Sequence, residues 1–183
     1  MSLRLWNGMI LAAMAAMWMA SGTQREKPVL ADASDAVRAL ESTVARAPAD
    51  SVELRKLAQA YLDAGAPGLA LAAIERAPVS VRVDPRVEHV YARALLEQGR
   101  SDDALYAERR VLATCTRLGG PDGTGAAGSS RGVCDTWLTA SATRRAEILQ
   151  QLVELGIEDA QADPEASAVA YHNATREARL AIR

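Results

Sequence analysis

The sequence predicts an all-α protein: a short α-solenoid of antiparallel helix pairs, preceded by one N-terminal apolar helix. Three observations carry that reading. Thirty-eight of the 183 residues are alanine and none is Phe; alanine is the strongest helix former, whereas sheets draw on aromatic and β-branched side chains. Apolar positions recur at helical spacing and stop at glycines. The pattern of alanines and glycines also repeats after 34 residues. A net charge of −2 leaves no basic surplus to neutralise phosphates, which argues against a nucleic-acid partner.

The first element is apolar throughout. All five Met and two of the three Trp lie within the first 19 residues, and residues 5–22 carry no charge. As a helix that stretch reaches roughly 27 Å, enough for a hydrocarbon core. Trp6 and Trp18 fall near its ends, where amphipathic rings favour the interface. Residues 1–22 therefore read as a signal peptide or a retained membrane anchor, and both stay open. Ala20-Ser21-Gly22 offers only a weak cleavage site, and no cysteine is present there for lipid attachment. With Arg4 on the short N-terminal flank, the body is expected outside the cytoplasm. It would be anchored in the inner membrane facing the periplasm, or soluble periplasmic after cleavage. Residues 23–33, polar with one Pro, read as a linker.

The body contains a repeat. At an offset of 34, Ala58 aligns with Ala92, Tyr61 with Leu95, Gly65 with Gly99 and Ala70 with Ala104. Small residues let two antiparallel helices approach. The glycines suit the left-handed position after a helix. Pro78 and Pro85 punctuate the exit from the first unit. Ser101-Asp102-Asp103 offers N-cap chemistry for the helix carrying Ala104. A half-repeat precedes, with Ala36 and Leu40 in the register of Ala70 and Ile74 and Pro48 as its stop. In period and residue type this resembles the tetratricopeptide repeat (TPR). The resemblance covers residues 34–114: a half-repeat at 34–48 and whole repeats at 51–84 and 85–114. The chain departs from the pattern where Glu88 stands for an early aromatic and Glu108 stands where the first copy has Ile74. A generic Ala-rich hairpin array is the alternative.

Residues 115–134 form a Gly-rich loop bracketed by Cys115 and Cys134, the only two cysteines. In an exported body they read as one disulfide, worth about 3 kcal/mol in the chain-entropy model; free thiols are the alternative. Residues 135–183 read as a helical pair capping the array. The first helix covers about 141–155, with Ile148, Leu149, Leu152 and Leu155 on its apolar side and Gly156 as its stop. The second covers about 165–182, behind Asp163-Pro164, with Val169, Ala170 or Ala174, and Leu180 inward. Trp137 is expected to pack the returning chain onto the array.

No catalytic grouping stands out. His89 and His172 read as helix-surface residues, and no Gly-Lys-Ser/Thr follows the glycines at 119–123. The expectation is a binding protein rather than an enzyme, with no cofactor, metal or small-molecule substrate. The TPR resemblance implies that the first helix of each repeat lines the concave side. That places Val52, Arg55, Gln59, Leu62 and Asp63 of the first copy there, with Arg86, His89, Arg93, Leu96 and Glu97 of the second. Arg55, Gln59, Leu62, Arg86, His89, Arg93 and Leu96 are the expected partner-binding residues. Their arginines suit a carboxylate on another protein or peptide; a solvated Arg surface is the alternative. The function expected is a protein–protein adaptor in a bacterial envelope. The second reading is a structural or assembly subunit that self-associates.

Overall fold

Aspartates start four of the described helices and glycines stop three. The computed structural model describes residues 34–118, 134–160 and 162–181, and among these every regular element is α-helical. The elements are α1 (Ser34–Arg46), α2 (Ser51–Asp63), α3 (Pro67–Arg76), α4 (Val79–Arg82), α5 (Pro85–Glu97), α6 (Ser101–Arg117), α7 (Thr136–Glu154) and α8 (Pro164–Ala181). No helix among the described residues is long and apolar enough to cross a membrane. The expected span at 5–22, the linker at 23–33 and residues 119–133 of the loop lie outside them.

The Asp50 carboxylate accepts from the Val52 and Glu53 N–H groups at 2.9 and 3.2 Å, satisfying donors that the first turn of α2 leaves open. Asp84 does the same for Arg86 ahead of Pro85, and Asp163 for Ala166 ahead of Pro164. Proline fits there because its missing N–H is never needed in a first turn. At the other ends, Gly65, Gly99 and Gly156 all take positive φ, 69°, 73° and 71°. Each closes its helix with the same two bonds: Gly65 N–H to Leu62 and Ala66 N–H to Tyr61, then Gly99 to Leu96 and Arg100 to Leu95, then Gly156 to Val153 and Ile157 to Leu152.

Short connections fold α2 back on α3, α5 on α6 and α7 on α8, and neighbouring pairs pack through α2·α5, α3·α5 and α6·α7. Ala58, Ala70, Ala92 and Ala104 are fully buried at these contacts. Around them sit Leu54, Leu57, Ile74, Val87, Leu95, Val111, Leu149 and Leu152, each worth about 1.5–3 kcal/mol in apolar burial. Cys115 and Cys134 are disulfide-bonded, with Cα atoms 5.4 Å apart. The bond ties the end of α6 to the start of α7 inside a cluster with Val111, Leu138 and Ala142.

Several expectations need correcting. Ala36 is exposed and Val37 is the buried residue of α1; a small residue is required only where another backbone comes close, and no described helix does so at Ala36. Instead, α1 is tied down by Tyr61, whose hydroxyl donates to Glu41 at 2.5 Å. Ser101 caps nothing: it is buried, and its hydroxyl and N–H both donate to Glu158 O, at 2.7 and 3.3 Å, holding α6 to the α7–α8 turn. The first C-terminal helix begins at Thr136 rather than near 141, because Asp135 caps it through Leu138 N–H at 2.7 Å. In consequence Trp137 lies in the first turn and is 67% exposed, not packed into the array. Leu155 and Val169 are exposed, while Ala170 and Ala174 are buried.

Candidate functional site

Helical spacing builds the site. On α2, Arg55, Gln59 and Asp63 follow one another at four-residue steps; on α5, His89 and Val90 stand three and four residues after Arg86, and Arg93 four and three after them; on α7, Trp137, Ser141 and Arg145 again follow at four. Residues so spaced share one side of a helix. The three stripes meet around a cleft of about 520 Å³. Its walls carry five cationic side chains, those of Arg55, Lys56, Arg86, Arg93 and Arg145, against a single carboxylate, Asp63.

The cations differ in how far they are committed. Lys56 pairs with Glu53 at 2.7 Å, and Arg93 with Glu97 at 2.8 Å and more loosely with Asp63 at 3.7 Å. Arg86 meets Asp135 at 2.6 Å, so the residue that caps α7 is also clamped to α5. Arg55 makes no ion pair or hydrogen bond among the described residues. An arginine in that position keeps its planar fork of donors for an incoming anion.

Behind the cleft wall lies a buried polar network. Glu108 of α6 is 0% exposed. Its Oε2 faces His89 Nδ1 at 2.8 Å and its Oε1 accepts from Arg145 Nη1 at 3.0 Å. The same Arg145 nitrogen donates to His89 O at 3.1 Å, and His89 Nε2 reaches Ser141 Oγ at 3.1 Å. Trp137 stands edge-on to the imidazole, centroids 6.1 Å apart. A buried carboxylate is tolerated only when its charge and lone pairs are answered, and here both oxygens are. No buried side-chain N or O atom among the described residues lacks a partner.

Of the expected binding residues, Arg55, Gln59, Arg86, His89 and Arg93 line this one cleft. Leu62 does not: it follows Leu54 by eight residues and Ala58 by four, which puts it on the buried stripe of α2, 3% exposed. Leu96 is half-buried and borders no part of the cleft, and Val52 is exposed away from it. His89 is 5% exposed, not a surface residue, whereas His172 is exposed. The α7 wall is not among the expected binding residues, because the expected helix starts near 141; the four-residue spacing of Trp137, Ser141 and Arg145 is the sequence signal for it. Glu108 on a core register is the signal for the network. His89, Glu108 and Ser141 do form a grouping that no sequence spacing displays, since 19 and 52 residues separate the partners.

A second hollow, about 280 Å³, lies beside α4 between Val79, Val83, Glu88 and Arg110. Glu88 is buried and meets Arg110 at 2.5 Å; burial pushes its carboxyl above the usual range, Arg110 pulls it back and Glu108 adds to the rise. Among the described residues no group of three or more His, Cys, Asp and Glu side chains is placed to hold a metal. No protein-family model, no curated protein and no solved structure matches the chain.

Proposed function

We propose that the protein is an adaptor that holds an acidic segment of another protein in the cleft between α2, α5 and α7. The observation that carries this reading is Arg55, a cation of the cleft wall with no ion pair or hydrogen bond among the described residues, beside four further cations that are each paired with a carboxylate. Guanidinium groups take carboxylates in two-pronged, charge-assisted hydrogen bonds. Trp137, exposed at the cleft, offers a flat apolar surface to a side chain beside the acidic one. In the same proposal the helix pairs stack as a TPR-like array whose first helices supply the binding side, capped by α7 and α8. The body works in a bacterial envelope, outside the cytoplasm, and residues 1–22 are its signal or anchor. The Cys115–Cys134 bond suits an oxidising compartment.

The test is a fluorescence-anisotropy titration with a labelled peptide rich in Asp and Glu, read against its Asn/Gln counterpart. Wild type should bind the acidic peptide and not the neutral one, with affinity falling as salt rises. Arg55→Glu should weaken binding about 10- to 100-fold, the worth of one charged hydrogen bond. Equal binding of both peptides, or no effect of Arg55→Glu, contradicts the proposal.

A further inference from the structure

The polar network behind the cleft does not end inside the protein. It ends on Ser141, a half-buried hydroxyl in the cleft wall. Ser141 Oγ lies 3.1 Å from His89 Nε2, and His89 Nδ1 lies 2.8 Å from Glu108 Oε2. With the ring neutral, the carboxylate on Nδ1 takes the N–H there, which leaves the Nε2 lone pair facing the serine hydroxyl. Hydroxyl, imidazole and carboxylate thus stand in the order used for acyl transfer, contributed by three separate helices.

We propose that Ser141 is a nucleophile for small esters whose acyl part carries a carboxylate, with His89 as its general base and Glu108 as a positioning residue. Ser141 Oγ bonds to the acyl carbon while its proton passes to His89 Nε2. The bond from that carbon to the alcohol oxygen breaks, and His89 returns the proton to the departing alkoxide. Water then attacks the acyl-Ser141 ester, giving its proton to His89, and the serine leaves and regains a proton from the ring. The products are a carboxylic acid and an alcohol. Ser141 sits within α7, so the backbone around it is engaged in the helix, and the oxyanion falls to a side chain. Arg145 lies one turn further along the same stripe. It uses Nη1 on His89 O and Glu108, and its Nη2 and Nε have no partner among the described residues. Arg55 and Lys56 across the cleft favour an anionic acyl group.

The full chain in detergent micelles, treated with a fluorophosphonate probe and digested for mass spectrometry, gives the test. The expected result is an adduct on Ser141, absent in Ser141→Ala. Wild type should also hydrolyse the anionic mono-p-nitrophenyl terephthalate, whose carboxylate cannot reach its own ester, faster than neutral p-nitrophenyl benzoate, and at least about tenfold faster than Ser141→Ala does. Glu108→Gln should lower kcat for ester hydrolysis with KM within about twofold of wild type, since the carboxylate positions the imidazole and does not touch the ester. The other charges near His89 are Arg145 of α7, Arg86 and Arg93 of α5, and the α2 side of the cleft, all unchanged in that variant. No adduct on Ser141 in folded wild type, or equal hydrolysis by wild type and Ser141→Ala, overturns the proposal. Labelling of wild type alone decides the question should a variant fail to fold. Ser141→Ala keeps every cation of the cleft, so peptide binding and ester chemistry fail or succeed separately.

Discussion

Two buried glutamates sit on neighbouring helices and have opposite consequences. Glu88 is answered by Arg110, which is 49% exposed and can return to water. Glu108 is answered by His89 and Arg145, at 6% and 25% side-chain exposure, which cannot do so as freely. Replacing a buried charge by an apolar group is cheap when its partner is resolvated and costly when the partner is stranded. Glu88→Leu should therefore stay within about 1 kcal/mol of wild type, and Glu108→Leu should lose about 3–5 kcal/mol, in urea unfolding. Similar losses for both would contradict the assignment. Tyr61 gives a pH signature. Burial first, then its hydrogen bond to Glu41 and that carboxylate's charge, push the phenol up to about 12 from 10.0. The folded state holds this proton more tightly than the unfolded chain. The stabilisation is thus fully present below pH 10 and is lost as pH rises from there towards 12. A tyrosinate absorbance titration should show a late-titrating group that Tyr61→Phe removes.

Helix ends and helix contacts were the most legible elements, because each admits few residue types. A left-handed stop selects glycine, and a close backbone approach selects alanine, so Gly65, Gly99 and the four buried alanines stand out in the sequence. The stops are not equivalent. A Cβ on Gly65 would meet nothing within 4 Å, whereas one on Gly99 would stand 3.0 Å from Asp159 Cβ and Cγ. Gly65→Ala should cost only the left-handed strain, about 1–2 kcal/mol. Gly99→Ala should cost clearly more in the same denaturation assay, because the α7–α8 turn must also shift. Equal costs would mean that the turn yields freely. The start of α7 was not legible: Cys134 and Asp135 follow a glycine run, and nothing local marks Asp135 as a cap rather than loop.

The cleft is a property of the whole molecule. Its α2 and α5 walls were foreseeable through the register that the TPR resemblance implies, which set Arg55, Gln59, Arg86, His89 and Arg93 together. Its α7 wall depends on a chain returning after a cysteine-closed loop, and no periodicity spans that return. The Ser141–His89–Glu108 line was invisible for the same reason, because only packing of α5, α6 and α7 brings the three together. Leu62 was misplaced since the groove and core stripes of α2 adjoin, and one step round the helix separates them. The central proposal is that a carboxylate-bearing segment binds in this cleft. The most direct measurement is a photo-crosslinking map, using an acidic peptide with a photoreactive group beside its acidic cluster. Adducts are expected on α2, α5 and the first half of α7, Trp137 included, lost on adding excess unlabelled acidic peptide. Adducts confined to α3, α4, α6 or α8 would contradict it.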